Sequence, residues 1–193
     1  KVYLSKVVDD IYNRINNSNN LWNNSYRDEF VENTSRSAGS SISLYYNEFV
    51  KSFELIKQFK LGLPAGNRIG QDEIRPDLLE LRYINRAHDL VYKHLEVTER
   101  IWYGKDEEGV NGIGFDDLLV SLEENELKNN TIESIGEINT AVRNITDLQN
   151  DLVNNIDVVN TAIDALQQHT RFYKSNLSLA VGVSITFSDG DGD

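Results

Sequence analysis

Apolar residues recur at spacings of three and four along most of the chain, the rhythm of helices that each bury one face. Leu4, Val7, Val8, Ile11, Tyr12 and Ile15 form the first such stripe, which fades toward Leu21 and Trp22. The run Asn16-Asn17-Ser18-Asn19-Asn20 weakens the helix there, because short polar side chains compete for the backbone. The small, polar stretch 32–41 reads as a loop. A second helix is expected over 41–61, with Ile42, Tyr45, Tyr46, Phe49, Phe53, Ile56 and Phe59 on its apolar face. Gly62-Leu63-Pro64-Ala65-Gly66 should stop it, since glycine suits a helix end and proline cannot continue one.

After a polar connection, Asp77 offers an N-cap with Glu80 three positions on, the pattern of a capping box. A third helix is expected from there to about Tyr103, facing inward with Leu81, Ile84, Leu90, Val91, Leu95, Thr98 and Trp102. The glycine-rich segment 104–114 reads as a loop. Further helices are expected over 115–122, 126–145 and 148–181, the last open to interruption. Val183-Ser184-Ile185-Thr186-Phe187 alternates like a short strand or an extended tail. The pattern predicts an all-α, up-and-down bundle of four or more long helices, a single domain over 1–193. Its stripes should converge on one core that includes Phe53.

Length agrees, since a chain of 193 residues buries roughly 70% of its unfolded surface. Charge narrows the partners. A net charge of −12 repels nucleic-acid backbones and anionic membrane surfaces. No apolar run approaches the ~18 residues of a membrane span. The absence of cysteine excludes disulfides and thiolate metal sites. The chain opens on helix-like residues without a methionine, so it is expected to begin inside a longer precursor.

Few residues suggest chemistry. His88 and His94 are six apart, not the four that would put two imidazoles on one helical face for zinc, and the histidines read as surface residues. Glu96 and Glu99 share a face, and paired carboxylates can hold a cation or exchange protons, although an exposed helix commonly carries such pairs. Gly112-Ile113-Gly114 lacks the context of a phosphate loop. Asp189, Asp191 and Asp193 alternate with glycines like the first half of a calcium loop, without its closing glutamate. Asp189 and Asp191 are therefore candidate ligands of a cation held at millimolar strength or weaker. No Gly-x-Ser-x-Gly elbow occurs.

Four stretches, in order, resemble the imelysin family, also described as peptidases and as iron-regulated proteins. They are Lys60-Leu61-Gly62-Leu63-Pro64-Ala65-Gly66; Pro76 through Tyr83, with Glu80 and Tyr83 at the matching positions; Gly112 through Leu119; and the ending Leu179 through Asp193. The resemblance covers nearly the whole chain as the C-terminal half of a two-bundle fold. It implies a lipoprotein or exported protein of the periplasm or outer cell surface, linked to iron or metal uptake. It also implies a partner, the N-terminal imelysin half, with a site at the junction of the two. On that reading Lys60, Pro64, Gly66 and Glu80 are ligand-binding candidates, and iron or another divalent cation is the cofactor of the full-length protein. The family's Gly-x-His-x-x-Glu motif is absent, and His94-Leu95-Glu96-Val97-Thr98-Glu99 does not reproduce it. Asn85 and Ala87 also stand where relatives carry small hydroxyl residues. The expected function is a cell-envelope binding module supplying one wall of an interdomain site, where it would recognise a metal, a metal complex or a peptide. The alternative is a metallopeptidase fragment, inactive on its own.

Overall fold

The computed structural model describes residues 2–188, so the tail with Asp189 and Asp191 lies outside the described residues. The protein is all-α: helix makes up 74% of it, and no strand occurs among the described residues. The chain divides into two compact units, Lys1–Leu44 and Tyr45–Asp193.

In the first unit, α1 (Val2–Leu21) passes through a π-helical turn, Trp22–Tyr26, into α2 (Arg27–Glu32) without leaving right-handed helical geometry. The apolar stripe forms as expected but is not buried; Leu4 is 70% exposed and Ile15 62%. Within this unit only a short loop and the first turn of the next helix follow the rod. They carry too little apolar surface to cover it. Trp22, Tyr26 and Phe30 stack along one edge with ring centroids 5.5–5.9 Å apart.

The core lies in the second unit. Helix α3 (Ser41–Leu55) continues through a π-helical segment, Ile56–Gly62, into the short α4 (Leu63–Ala65). The stop thus falls later than the sequence suggests. Pro64 has no N–H to give. The wider turn before it, whose last bond runs from the Leu63 N–H to the Gln58 carbonyl, absorbs the change of register. Gly66, at φ +75°, ends the helix in the left-handed conformation.

The expected third helix begins ten residues late. Leu81 and Asn85 both adopt φ of +50°, so 76–86 is a chain of tight turns. Helix α5 runs only from Ala87 to Tyr103. Asp77 does not cap it. Its carboxylate is taken by Arg75, with Nε and Nη2 each donating at 2.8 Å. Leu81 and Ile84, expected on the buried face, are exposed in consequence.

The remaining elements are α6 (Phe115–Ser121), α7 (Asn125–Arg143), α8 (Leu148–Asn154) and α9 (Ile156–Phe172). A π-helical turn, Tyr173–Leu177, then leads into α10 (Ser178–Val181). Asp147 caps α8 by accepting from the Asn150 N–H.

Helices α3, α5, α6, α7 and α9 bring their stripes together. Phe49, Phe53, Trp102, Phe115 and Tyr173 form an aromatic centre, with Phe49 edge-on to Phe53 at 5.3 Å and stacked on Trp102 at 5.8 Å. Such pairs add about 0.5–1.5 kcal/mol each beyond simple burial. Residues 183–188 form neither helix nor strand. Asn47 holds them: its amide donates to the Ser184 carbonyl at 3.0 Å and accepts from the Thr186 N–H at 2.7 Å.

Candidate functional site

The sequence-derived candidates come together, in structural roles. Lys60 Nζ meets Glu80 Oε2 at 2.5 Å. The Pro64 carbonyl accepts from the Arg75 N–H at 2.8 Å. A side chain at Gly66 would fall 2.4 Å from the Glu73 carbonyl oxygen. These four residues pin the loop 67–86 against the end of α4. What they hold in place is one wall of a cavity of about 730 Å³.

That cavity is bounded by three segments. The π-helical segment contributes Lys57 and Gln58. The pinned loop contributes Asn67, Arg68, Ile69 and Gln71. Helix α9 contributes Ile163, Gln167 and Arg171, spaced four apart on one stripe. Three cations and four side-chain amides therefore face the space, with Leu63, Ile69 and Ile163 as apolar patches. No carboxylate lies among the described residues that line it, although the chain as a whole carries 31 acidic and 19 basic side chains.

Behind this wall runs a buried polar network. Glu54 is 3% exposed and receives two cations: Lys57 Nζ at 2.7 Å on one oxygen and Lys174 Nζ at 2.8 Å on the other. Gln58 Nε2 donates to the Lys57-facing oxygen at 3.2 Å. Lys57 Nζ also donates to Gln167 Oε1 at 2.6 Å, tying the π-helical segment to α9. A buried charge persists only when paired and hydrogen-bonded, and here one carboxylate is shared by two ammonium groups. Arg68 is held differently. Its guanidinium sits 4.5 Å above the Phe59 ring, a cation–π contact that uses the flat face and leaves the N–H edge available.

The other polar groups resolve into packing. Ser52 Oγ lies 2.8 Å from His94 Nε2, which resembles a nucleophile and its base. The same hydroxyl is 2.6 Å from Thr98 Oγ1, and neither Ser52 nor His94 lines the cavity. Burial, with the Lys60 charge added, lowers the His94 pKa below its ordinary 6.5. The histidines are not all surface residues, as the sequence suggested. His169 is buried where α9 meets α7, and its Nε2 lies 2.7 Å from Glu137 Oε2. Glu96 and Glu99 part company. Glu96 is bound by Lys93 and Arg100, whose hydrogen bonds lower its pKa. Glu99 is half-buried, and desolvation raises its pKa against the opposing bond from Asn139. Among the described residues no group of three or more His, Asp or Glu side chains could hold a metal ion, and no helix is long and apolar enough to cross a membrane.

The class defined by these features is an all-α bundle with a cation-lined cavity beside its π-helical segment. No family model, no curated protein and no solved structure matches the chain.

Proposed function

We propose that this chain is a ligand-binding module of a cell-envelope protein, imelysin-like in kind. The observation that carries the binding reading is the cavity. Its size is that of a small-molecule site, about 300–1,000 Å³. Its wall is rigid, because Lys57 is fixed by Glu54 and Gln167. The motif that carries the family resemblance supports the same reading. Lys60, Pro64, Gly66 and Glu80 hold the loop that brings Arg68 and Gln71 to the cavity. A link to metal uptake and a position in the periplasm or on the outer surface follow from the resemblance. Iron, or a complex of it, would then be met by the full-length protein at the junction with the N-terminal half.

The test is amide-resolved NMR of the chain with a panel of small molecules: organic anions, polyamines, neutral sugars and short peptides. At least one class should shift the amides of Gln58, Arg68 and Gln167 together, and saturably. If no class moves those three, the cavity is not a ligand site and the reading falls.

A further inference from the structure

We propose that the rod formed by α1, the π-helical turn Trp22–Tyr26 and α2 is a self-association surface, on which two copies of the chain pair with their rods antiparallel. On α1, Leu4, Val8, Ile11 and Ile15 share one face, with Val7 and Tyr12 on its flanks. Trp22, Tyr26 and Phe30 carry that line onward. A four-residue repeat drifts around an α-helix, but the wider π-helical turn straightens it, and the three rings stay beside one another. From Leu4 to Tyr26 the side chains of this stripe are each between 39% and 70% exposed. At roughly 200 Å² for a fully exposed large side chain, they offer on the order of 800 Å² of surface. The largest apolar patch of a typical monomer is about 300–600 Å², and one partner's share of a standard protein interface is about 800 Å². The stripe exceeds the first and matches the second. No charged residue falls on it: Lys6, Asp9 and Asp10 lie on the far side of α1, and Arg14, on the flank, is paired with Asp10 at 2.8 Å.

A second copy fits because the stripe complements itself in reverse. Its first half is aliphatic and slim, and its last part is aromatic and wide. With residues 2–32 fully overlapped and antiparallel, Leu4 falls opposite Phe30 and Val8 opposite Tyr26. Wide then meets narrow along the whole rod, and one interaxial spacing serves throughout. A parallel pair would set ring against ring at one end and splay the helices there. Full overlap also places the two-fold axis at residue 17, so the polar stretch 16–20, the break in the stripe, meets its own copy. Polar residues that face each other in an apolar seam fix its register. Antiparallel rods further bring the positive end of each helix beside the negative end of the other.

Sedimentation equilibrium of the full chain tests this. The parent should be a dimer of the 22.0 kDa chain at tens of micromolar. Ile11→Glu and Ile15→Glu should each raise the dissociation constant about tenfold or more. Leu179→Glu, at an apolar residue that is 82% exposed in the second unit, should leave it unchanged. The chain has no cysteine, so Ser5→Cys and Asn19→Cys each accept a single spin label. In the antiparallel pair the two Asn19 labels lie near the axis, while the two Ser5 labels are separated by about 36 Å along the rods, at 1.5 Å per residue. A chain that stays monomeric at every concentration would overturn the proposal. So would a dimer that neither glutamate variant weakens, or Ser5 labels as close together as the Asn19 labels. The residues that line the cavity all lie in the second unit, so loss of the dimer would leave the ligand-binding reading standing.

Discussion

Lys57 Nζ stands 2.7 Å from Glu54 Oε2 one helical turn earlier, and both side chains are almost wholly buried, at 4% and 3% exposed. Taking two charges out of water costs several kcal/mol each, and only mutual attraction and further hydrogen bonds offset it. Here the offset comes from Lys174, Gln58 and Gln167. The pair therefore specifies how the π-helical segment lies against α9 more than it adds net stability.

Glu54→Gln is expected to be among the most damaging polar substitutions in the protein. It keeps the shape and removes the buried carboxylate charge that two ammonium groups share. The expected loss is about 3–5 kcal/mol, measured by urea unfolding. Replacing Glu54, Lys57 and Lys174 together with apolar residues of similar volume should cost much less. A single Glu54→Gln loss below about 1 kcal/mol would mean that water reaches the pair.

Phe53→Ala tests the core. Phe53 is fully buried, edge-on to Phe49 and 5.2 Å from Tyr173. Truncation should cost about 3–5 kcal/mol, and a loss below about 0.5 kcal/mol would be incompatible with this packing.

Gly66→Ala and Gly70→Ala separate two costs that glycine substitutions usually mix. Both residues have left-handed φ, +75° and +81°. An L side chain there costs about 1–2 kcal/mol on backbone grounds alone. A Cβ at Gly70 meets nothing within 4 Å, whereas one at Gly66 would sit 2.4 Å from the Glu73 carbonyl oxygen. Gly66→Ala should therefore destabilise clearly more than Gly70→Ala in parallel urea titrations. Equal losses would show that the loop beyond Gly66 yields freely, and that the wall it forms is soft.

The core was legible because its signal is periodic and local. Phe49, Phe53, Val91, Leu95 and Trp102 recur at helical spacing, and all five are buried. The start of α5 was not. Asp77 followed by Glu80 is a good local cap signature, but Arg75 claims the first carboxylate and Lys60 the second. Neither partner is apparent from the spacing that defines the signature. The exposed stripe of α1 marks a further limit, since periodicity reports that a helix has an apolar face and not what covers it. The cavity left the faintest trace. Lys57, Arg68 and Arg171 belong to three segments brought together by the fold, and only the four-residue spacing of Ile163, Gln167 and Arg171 could have hinted at a shared surface. The sequence drew attention to Lys60, Pro64, Gly66 and Glu80 instead, the residues that position that surface.

His94 should register the ion pair beside it. Desolvation is the largest influence on its imidazole, lowering the pKa; the Lys60 charge lowers it further, and Glu80 raises it. The folded-state value therefore lies below the 6.5 of an unperturbed histidine. Between those two values the unfolded chain binds more protons than the folded one, so this residue's contribution to stability is fully present above pH 6.5 and declines as pH falls through that window. His94→Gln should flatten that part of the stability-against-pH curve relative to the parent protein. The neighbours give a sharper test, because they act with opposite signs. Removing the positive charge with Lys60→Met should move the His94 midpoint up, and removing the negative charge with Glu80→Gln should move it down. The ring proton shift of His94, followed by NMR across the titration, reads both changes directly. A midpoint at or above 6.5 in the parent would show that the ring is better solvated than its place against Ser52 and Thr98 allows. Shifts of the same sign in the two variants would show that Lys60 and Glu80 act on His94 by disturbing its packing rather than by their charges.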